Sequence, residues 1–335
     1  MKALTYQARG KIKLVDVPEP SVEHAHDVRI KIEYSGLCGT DHKIIQGRLD
    51  VASAGQILGH EGVGTVTEVG SDVVRVKVGD RVAINPTQGC RECEACKRYE
   101  TCYCENFDDY QVGFTLPGTF AEQVVIQDYW LTVIPNHVPF KLASLAEPLG
   151  CCLNTVTKAR IKSSDSVLVI GGGPIGTMCA ILADEVATRC DIVELNDFRR
   201  SVSASFGIHT FSSFEEVSQR YNVVIDAVGS VADRAIDFLE KGGRLVLMGY
   251  DDRYNWTITP TDLIDAGYDI IASVPIHNAV SPAIDILARR PDLSRLITVE
   301  TPITDFEYAF ESTMAVTNSC EAVPELMQMK AVIRP

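Results

Sequence analysis

Residues 166–194 read SVLVIGGGPIGTMCAILADEVATRCDIVE, and the rest of the chain is organised around this stretch. The apolar, β-branched run Val167 to Ile170, bounded by turn formers, predicts a buried strand. Gly171 to Gly176 spells G-x-G-x-x-G. Thr177 to Val186 has the length and periodicity of a helix, and Asp191 to Val193 predicts a second strand ending on the acid Glu194. Each part has a task in a dinucleotide site. Gly171 allows the tight turn, Gly173 lets a pyrophosphate approach the backbone, and Gly176 lets helix and strand pack closely. The helix N-terminus offers unpaired N–H groups and partial positive charge to the diphosphate. Glu194 is then placed to accept hydrogen bonds from the adenosine ribose.

At 335 residues the chain is long enough for about two domains with separate cores. It is 46% hydrophobic and 23% charged, the composition of ordinary globular proteins. A formal charge of −14 without any basic run argues against nucleic acid or an anionic membrane as partner. No apolar run reaches the roughly 18 residues of a membrane span. Met1 to Leu4 begins a strand rather than a signal peptide. Eleven cysteines without a secretion signal suggest thiols and metal ligands in a reducing compartment, so the expected location is the cytoplasm.

Up to about residue 145 the pattern is one of short strands: Lys11 to Val15, Val28 to Ile32, Ile57 to Val66, Gly79 to Ile84 and Phe120 to Ile126. Between them, Ser35 to His42 predicts a tight turn into a short helix ending near Gly47. This suggests an irregular β-rich domain. Beyond Leu142, helical and strand segments alternate (Asn222 to Asp226, Ala232 to Glu240, Arg244 to Met248, Asp269 to Ser273, Pro282 to Arg290) in the rhythm of a parallel sheet.

The most specific spacing is Cys90-x-x-Cys93-x-x-Cys96, then seven residues, then Cys104. Zinc takes four thiolates in a tetrahedron, and C-x-x-C turns bring two sulfurs to one ion. The surrounding residues are polar, so metal must order this lobe. A redox or disulfide cluster is the competing explanation, and by spacing alone Cys102 could replace Cys104. A second, dispersed set comprises Cys38, His60-Glu61 and Glu147. Glu147 sits in the apolar helix start Leu142 to Ala146, where a carboxylate is costly unless paired or metal-bound. Taken singly, each of these has a bland explanation as a core thiol, a satisfied histidine or a helix-start charge.

Together, Gly36-Leu37-Cys38-Gly39-Thr40-Asp41, Gly59-His60-Glu61-x-x-Gly64, the four-cysteine lobe, Glu147-Pro148-Leu149 and the glycine loop make the chain resemble a zinc-containing medium-chain dehydrogenase. The resemblance spans essentially the whole length. It implies a GroES-like β-rich catalytic domain at 1–145 and 287–335, carrying a zinc lobe at 88–106. A Rossmann NAD-binding domain, a doubly wound parallel sheet, is expected at 146–286. Lys330 to Ile333 resembles the strand that returns to the first domain. The resemblance implies structural zinc at Cys90, Cys93, Cys96 and Cys104, and catalytic zinc at Cys38, His60 and Glu147, with Glu61 an alternating or neighbouring ligand. It leaves Cys102 a bystander. A Glu-Pro-Leu ligand is similar to the sorbitol, galactitol-phosphate and aminocyclitol branch.

The implied chemistry is hydride transfer between NAD and a secondary alcohol such as a polyol, sugar alcohol, sugar phosphate or aminocyclitol. The zinc lowers the hydroxyl pKa. An L-threonine 3-dehydrogenase-like enzyme, a biosynthetic carbonyl reductase and a non-catalytic NAD-binding sensor are the alternatives. Thr40 is expected to take the hydroxyl proton. The family's relay histidine is Lys43 here, with His42 one place earlier, and the usual histidine after Glu-Pro-Leu is Asn154. Further cofactor contacts are expected at Pro174, Ile175, Arg199, Val228, Met248, Gly249, Ser273 and Val274. Two zinc ions per chain, an alcohol or ketone substrate and a homodimer or homotetramer complete the expectation.

Overall fold

A computed structural model describes residues 1–273, 279–317 and 328–335. The expected cofactor contact Val274 lies outside the described residues. The chain divides into two compact units: Met1–Gly150 with Ile276–Asn318 and Lys330–Pro335, and Cys151–Pro275 with Ser319–Met329.

The second unit is built on the strand Ser166–Ile170, whose Val167, Leu168 and Val169 are wholly buried. Each contributes roughly 1.5–3 kcal/mol of burial. Six parallel strands lie in the order His209–Phe211, Arg189–Val193, Ser166–Ile170, Tyr221–Asp226, Leu239–Leu247, Asp269–Ala272. In chain order that is 3-2-1-4-5-6, the doubly wound arrangement with its crevice at the carboxyl ends of the central strands.

Three details depart from the sequence pattern. The helix after the glycine loop is Pro174–Asp184, not Thr177 to Val186, because Pro174 presets the first helical φ and Gly173 is its N-cap. Glu194 stands just past the strand Arg189–Val193 rather than in it. The segment Ala232 to Glu240 yields only the helix Ala232–Ala235 and a 3₁₀ turn, since Leu239 and Glu240 already belong to the next strand.

The first unit holds a seven-stranded sheet running Ile297–Pro302, Lys330–Arg334, Asp27–Gly36, Glu61–Val69, Arg81–Ile84, Leu131–Val133, with Gln123–Gln127 also paired to Asp27–Gly36. A separate antiparallel pair joins Lys2–Ala8 to Lys11–Asp16. Alternation along Asp27–Gly36 sends Val28, Ile30 and Ile32 into a core with Val66, Val82 and Val124. The strand expected from Ile57 begins only at Glu61: Gly59 has φ +90, and a Cβ there would lie 2.6 Å from the Phe120 ring. The chain therefore turns just before His60. The closing strand Lys330–Arg334 pairs antiparallel to Asp27–Gly36, Val332 opposite Gly36.

The expected domain edge at 287 falls inside the helix Val280–Arg289, which belongs wholly to the first unit. Its buried stripe Val280, Ala283, Ile284 and Leu287 is one face, so the helix cannot be divided.

Candidate metal and cofactor sites

The four sulfurs of Cys90, Cys93, Cys96 and Cys104 lie within 4.8 Å of one another. Cys90 and Cys96 are separated by 3.9 Å, Cys93 and Cys104 by 4.0 Å. Tetrahedral zinc with bonds near 2.3 Å requires edges of about 3.8 Å. Backbone N–H groups point at the sulfurs, from Glu92 (3.5 Å) and Cys93 (3.3 Å) to Cys90, and from Cys90 and Asn106 (both 3.4 Å) to Cys104. Donation from the Glu105 and Cys96 backbone brings the Cys93 thiol down to about 6, whereas burial pushes Cys96 up to about 12. A bound cation is what lets all four be thiolates together. Gly89 makes room, since a Cβ there would sit 2.5 Å from the Cys96 sulfur. Arg91 lays its guanidinium 3.4 Å from the Tyr129 ring centroid, holding the lobe to the body of the unit. Cys102 is outside the cluster.

The second group assembles where the strand Asp27–Gly36 turns into the helix Gly39–Ile45. Cys38 is the helix N-cap, and its N–H donates to Asp41 Oδ2 at 2.9 Å. Ligand atoms of Cys38, His60 and Glu61 lie within 4.8 Å of one another. Asp41 Oδ1 and His60 Nδ1, both buried, face each other at 3.4 Å, and Glu61 Oε2 is ion-paired with the Lys330 ammonium at 2.5 Å. Burial by itself would lower the His60 pKa, but Asp41 and Cys38 beside it carry it well above its ordinary value. Cys38, His60 and Glu61 thus bring a thiol, an imidazole and a carboxylate to one point, a donor set that fits zinc. Gly36 leaves the space for Glu61, because a Cβ would fall 1.9 Å from its carboxylate.

Lys330 supplies a fixed positive charge. Its ammonium donates to Glu61 Oε1 at 2.6 Å and to the Leu37 carbonyl at 2.8 Å, with its side chain 5% exposed. Burial disfavours that charge, but Glu61, then Cys38 and more weakly Glu147 outweigh it and raise the pKa above 10.5. Glu147, half-buried in the first turn of Ala146–Ala159, thus acts electrostatically on this pocket while lying outside the close group of three.

Thr40 Oγ1 lies 3.5 Å from the Cys38 sulfur. His42 is buried. Its Nε2 is 2.7 Å from Thr313 Oγ1, its ring packs edge-on against Phe310, and burial lowers its pKa to about 4. Thr313 Oγ1 donates onward to the Ala309 carbonyl at 2.8 Å, so His42 Nε2 carries the proton and Nδ1 is left unpartnered. Lys43, next along the same helix, is half-buried.

In the second unit Gly171 has φ +96, and a Cβ on Gly176 would lie 1.8 Å from the Gly171 carbonyl oxygen, so helix and turn meet only without a side chain. Glu194 accepts from Gly172 N–H and Asn196 N–H, both at 2.7 Å. Two such bonds occupy half of a carboxylate's acceptor positions, and the others remain for a ribose. Arg199 is half-buried beside this loop. Burial lowers its pKa against the opposing pull of Glu194, and its Nε donates to the Gln328 carbonyl at 3.4 Å.

Pro174 and Ile175 open the helix that follows the glycine loop. Val228, Met248 and Gly249 stand in the loops after Tyr221–Asp226 and Leu239–Leu247, and Ser273 Oγ is 2.8 Å from Thr155 Oγ1. The residue that sequence reasoning missed is Lys330. The visible signal was a lysine opening the otherwise apolar Lys330-Ala331-Val332-Ile333.

The alcohol dehydrogenase GroES-like domain profile matches residues 24–136. The chain is 30% identical over 291 residues to D-arabinitol dehydrogenase 1 of Uromyces fabae, covering 82% of each. It is 29% identical over 344 residues to L-threonine 3-dehydrogenase of Escherichia fergusonii, covering 93% of this chain and 96% of that one. Among solved structures, alcohol dehydrogenase TADH from Thermus sp. ATN1 superposes with a TM-score of 0.88 at 22% identity, covering 100% of this chain and 99% of that one. With the two sites as described, the chain belongs to the zinc-dependent medium-chain dehydrogenases, oxidoreductases that act on alcohols with a nicotinamide cofactor.

Proposed function

We propose that this protein oxidises a secondary alcohol of the polyol class, or reduces the matching ketone, with NAD and two zinc ions per chain. The observation that carries the reading is the close group Cys38, His60 and Glu61, whose ligand atoms lie within 4.8 Å of one another beside Lys330. Cys38, His60 and Glu147 would hold the catalytic zinc, with Glu61 adjacent, and the Cys90–Cys104 lobe the structural one. When bound, zinc supplies a Lewis acid for the substrate oxygen and NAD a hydride acceptor. The charges of Cys38 and Glu147 balance a divalent ion, while Lys330 neutralises Glu61, which keeps the site near zero charge. Thr40, half-buried next to Cys38, would accept the hydroxyl proton while passing its own outward to solvent. His42 is held neutral with its only N–H committed to Thr313, so it packs the helix rather than moving protons.

The polyol class rests on the likeness to D-arabinitol dehydrogenase and on Glu147-Pro148-Leu149. NAD rests on Glu194, whose carboxylate opposes a 2′-phosphate. The edge strand Asp269–Ala272 offers unpaired backbone, which supports a dimer or tetramer. Among the described residues no helix is long and apolar enough to cross a membrane, and none of the described cysteines forms a disulfide. A cytoplasmic enzyme accords with both. The likeness to L-threonine 3-dehydrogenase keeps that substrate as the second reading.

The test is a panel of pentitols, hexitols, their phosphates, aminocyclitols and L-threonine with NAD and NADP, read by absorbance of the reduced cofactor. The highest kcat/KM on a polyol supports the proposal. Faster turnover of L-threonine, or binding of NAD with no turnover of any alcohol, overturns it.

A further inference from the structure

The N-terminus of the helix Pro174–Asp184 and Glu194 locate an adenosine diphosphate over the carboxyl ends of Ser166–Ile170 and Arg189–Val193. Continuing past the diphosphate in strand order, the other half of a dinucleotide lies over the ends of Tyr221–Asp226 and Leu239–Leu247. Asp226 is the last residue of the first of these strands and is 1% exposed.

Asp226 gathers the backbone of both following loops. Its Oδ1 accepts from Val228 N–H and Gly229 N–H, each at 2.8 Å, and its carboxylate also bonds the Val231 N–H. Its carbonyl accepts from Met248 N–H at 3.0 Å and Gly249 N–H at 2.8 Å. The two loops meet backbone to backbone: a Cβ on Gly249 would lie 2.1 Å from the Gly229 nitrogen, and one on Gly229 2.4 Å from the Tyr250 nitrogen. The next residue ties this assembly to the glycine loop, since Ala227 N–H donates to the Ile170 carbonyl at 3.0 Å. A carboxylate this deep is expensive unless its bonds serve a purpose. Burial raises its pKa in spite of the three N–H donors, so the protein retains it at a cost.

We propose that Asp226 is a positioning residue for the nicotinamide half of the cofactor, presetting residues 227–231 and 248–250 without touching the cofactor itself. The inference rests on the nicotinamide-cofactor reading and extends it to one side of the molecule. Preorganised loops bind without further ordering cost, so losing the acceptor penalises that half of the ligand alone.

The test uses full-length, zinc-loaded protein with Asp226→Ala and Asp226→Asn. Affinities for NADH and for ADP, which carries only the adenosine half, are measured by calorimetry. With three backbone donors left unsatisfied, Asp226→Ala should weaken NADH by at least about tenfold and leave ADP within about twofold. Asp226→Asn keeps one acceptor oxygen and should give a smaller loss, again for NADH alone. Equal weakening of both ligands, unchanged NADH affinity, or failure of both variants to fold would overturn the proposal by placing Asp226 in the scaffold. A wild type that binds ADP but neither NADH nor NADPH would overturn the cofactor reading itself, an outcome visible before any variant is compared.

Discussion

Lys330→Met tests whether the buried ion pair beside Cys38 and His60 is a structural necessity. The ammonium lies 2.6 Å from Glu61 Oε1, and the side chains are 5% and 1% exposed, so water cannot replace it. Methionine fills similar volume but leaves Glu61 as an uncompensated buried carboxylate and the Leu37 carbonyl without its donor. Breaking a buried pair from one side costs about 3–5 kcal/mol. The loss should be largest in metal-free protein and smaller with zinc, whose charge can offset Glu61. Trp130 belongs to the first unit and Trp256 to the second, so urea unfolding followed by fluorescence in a Trp256→Phe background reports the relevant unit alone. Adding Glu61→Gln should restore at least half of the lost stability, because no charge is then stranded. The Lys330 pKa is raised, so the pair's contribution is complete below about 10.5 and is lost only as pH climbs through the higher folded value; between pH 6 and 9 it should not vary. A single variant within about 1 kcal/mol of wild type in metal-free protein, or a double variant no more stable than the single one, would refute the reasoning.

Elemental analysis should find two zinc ions per chain; Cys93→Ser should lose one and lower the melting temperature, whereas Cys38→Ser should keep the fold and abolish turnover. Wild type should favour NAD over NADP by roughly 10²-fold in kcat/KM, from like-charge repulsion at Glu194. Glu194→Ser should weaken both cofactors, since Gly172 and Asn196 lose their acceptor, and should shrink the ratio; an unmoved ratio would take Glu194 off the ribose. Thr40→Ala should lower kcat by about 10² or more, and His42→Gln far less, with equal losses pointing to a relay through His42. Because the His42 pKa is depressed to about 4, the unfolded chain binds more protons below pH 6.5. Stability should therefore fall as pH drops from about 6.5 towards 4, by roughly 3 kcal/mol at most, and His42→Gln should flatten that limb.

Much of this was visible along the chain because it is local. A G-x-G-x-x-G turn works through backbone conformation and close approach within six residues, and the Gly176 contact with Gly171 is such a contact. The lobe cysteines are close in sequence, so their spacing marks the cluster, while the choice of Cys104 over Cys102 needed the folded geometry. Periodicity also separated a β-rich first part from an alternating second part. What periodicity misplaced were edges, at Gly59, Pro174 and Leu239, where a turn or a neighbouring strand overrides the local pattern.

Only the tertiary structure could decide which charges balance one another. Lys330 reaches Glu61 across 269 positions because the last strand lies against Asp27–Gly36, and nothing local distinguishes that lysine from one opening an exposed strand. The structure likewise set His42 against Thr313, 271 positions away, in a buried setting that the chain's local pattern does not announce. Asp226 became the tie between two loops only once Leu239–Leu247 was laid beside its own strand. Backbone geometry and ligand spacing are properties of neighbouring residues, so sequence alone determined the fold class and marked the four-cysteine lobe as a candidate metal site. Desolvation and charge pairing depend on what packs around a group, and that is settled only when the chain closes on itself.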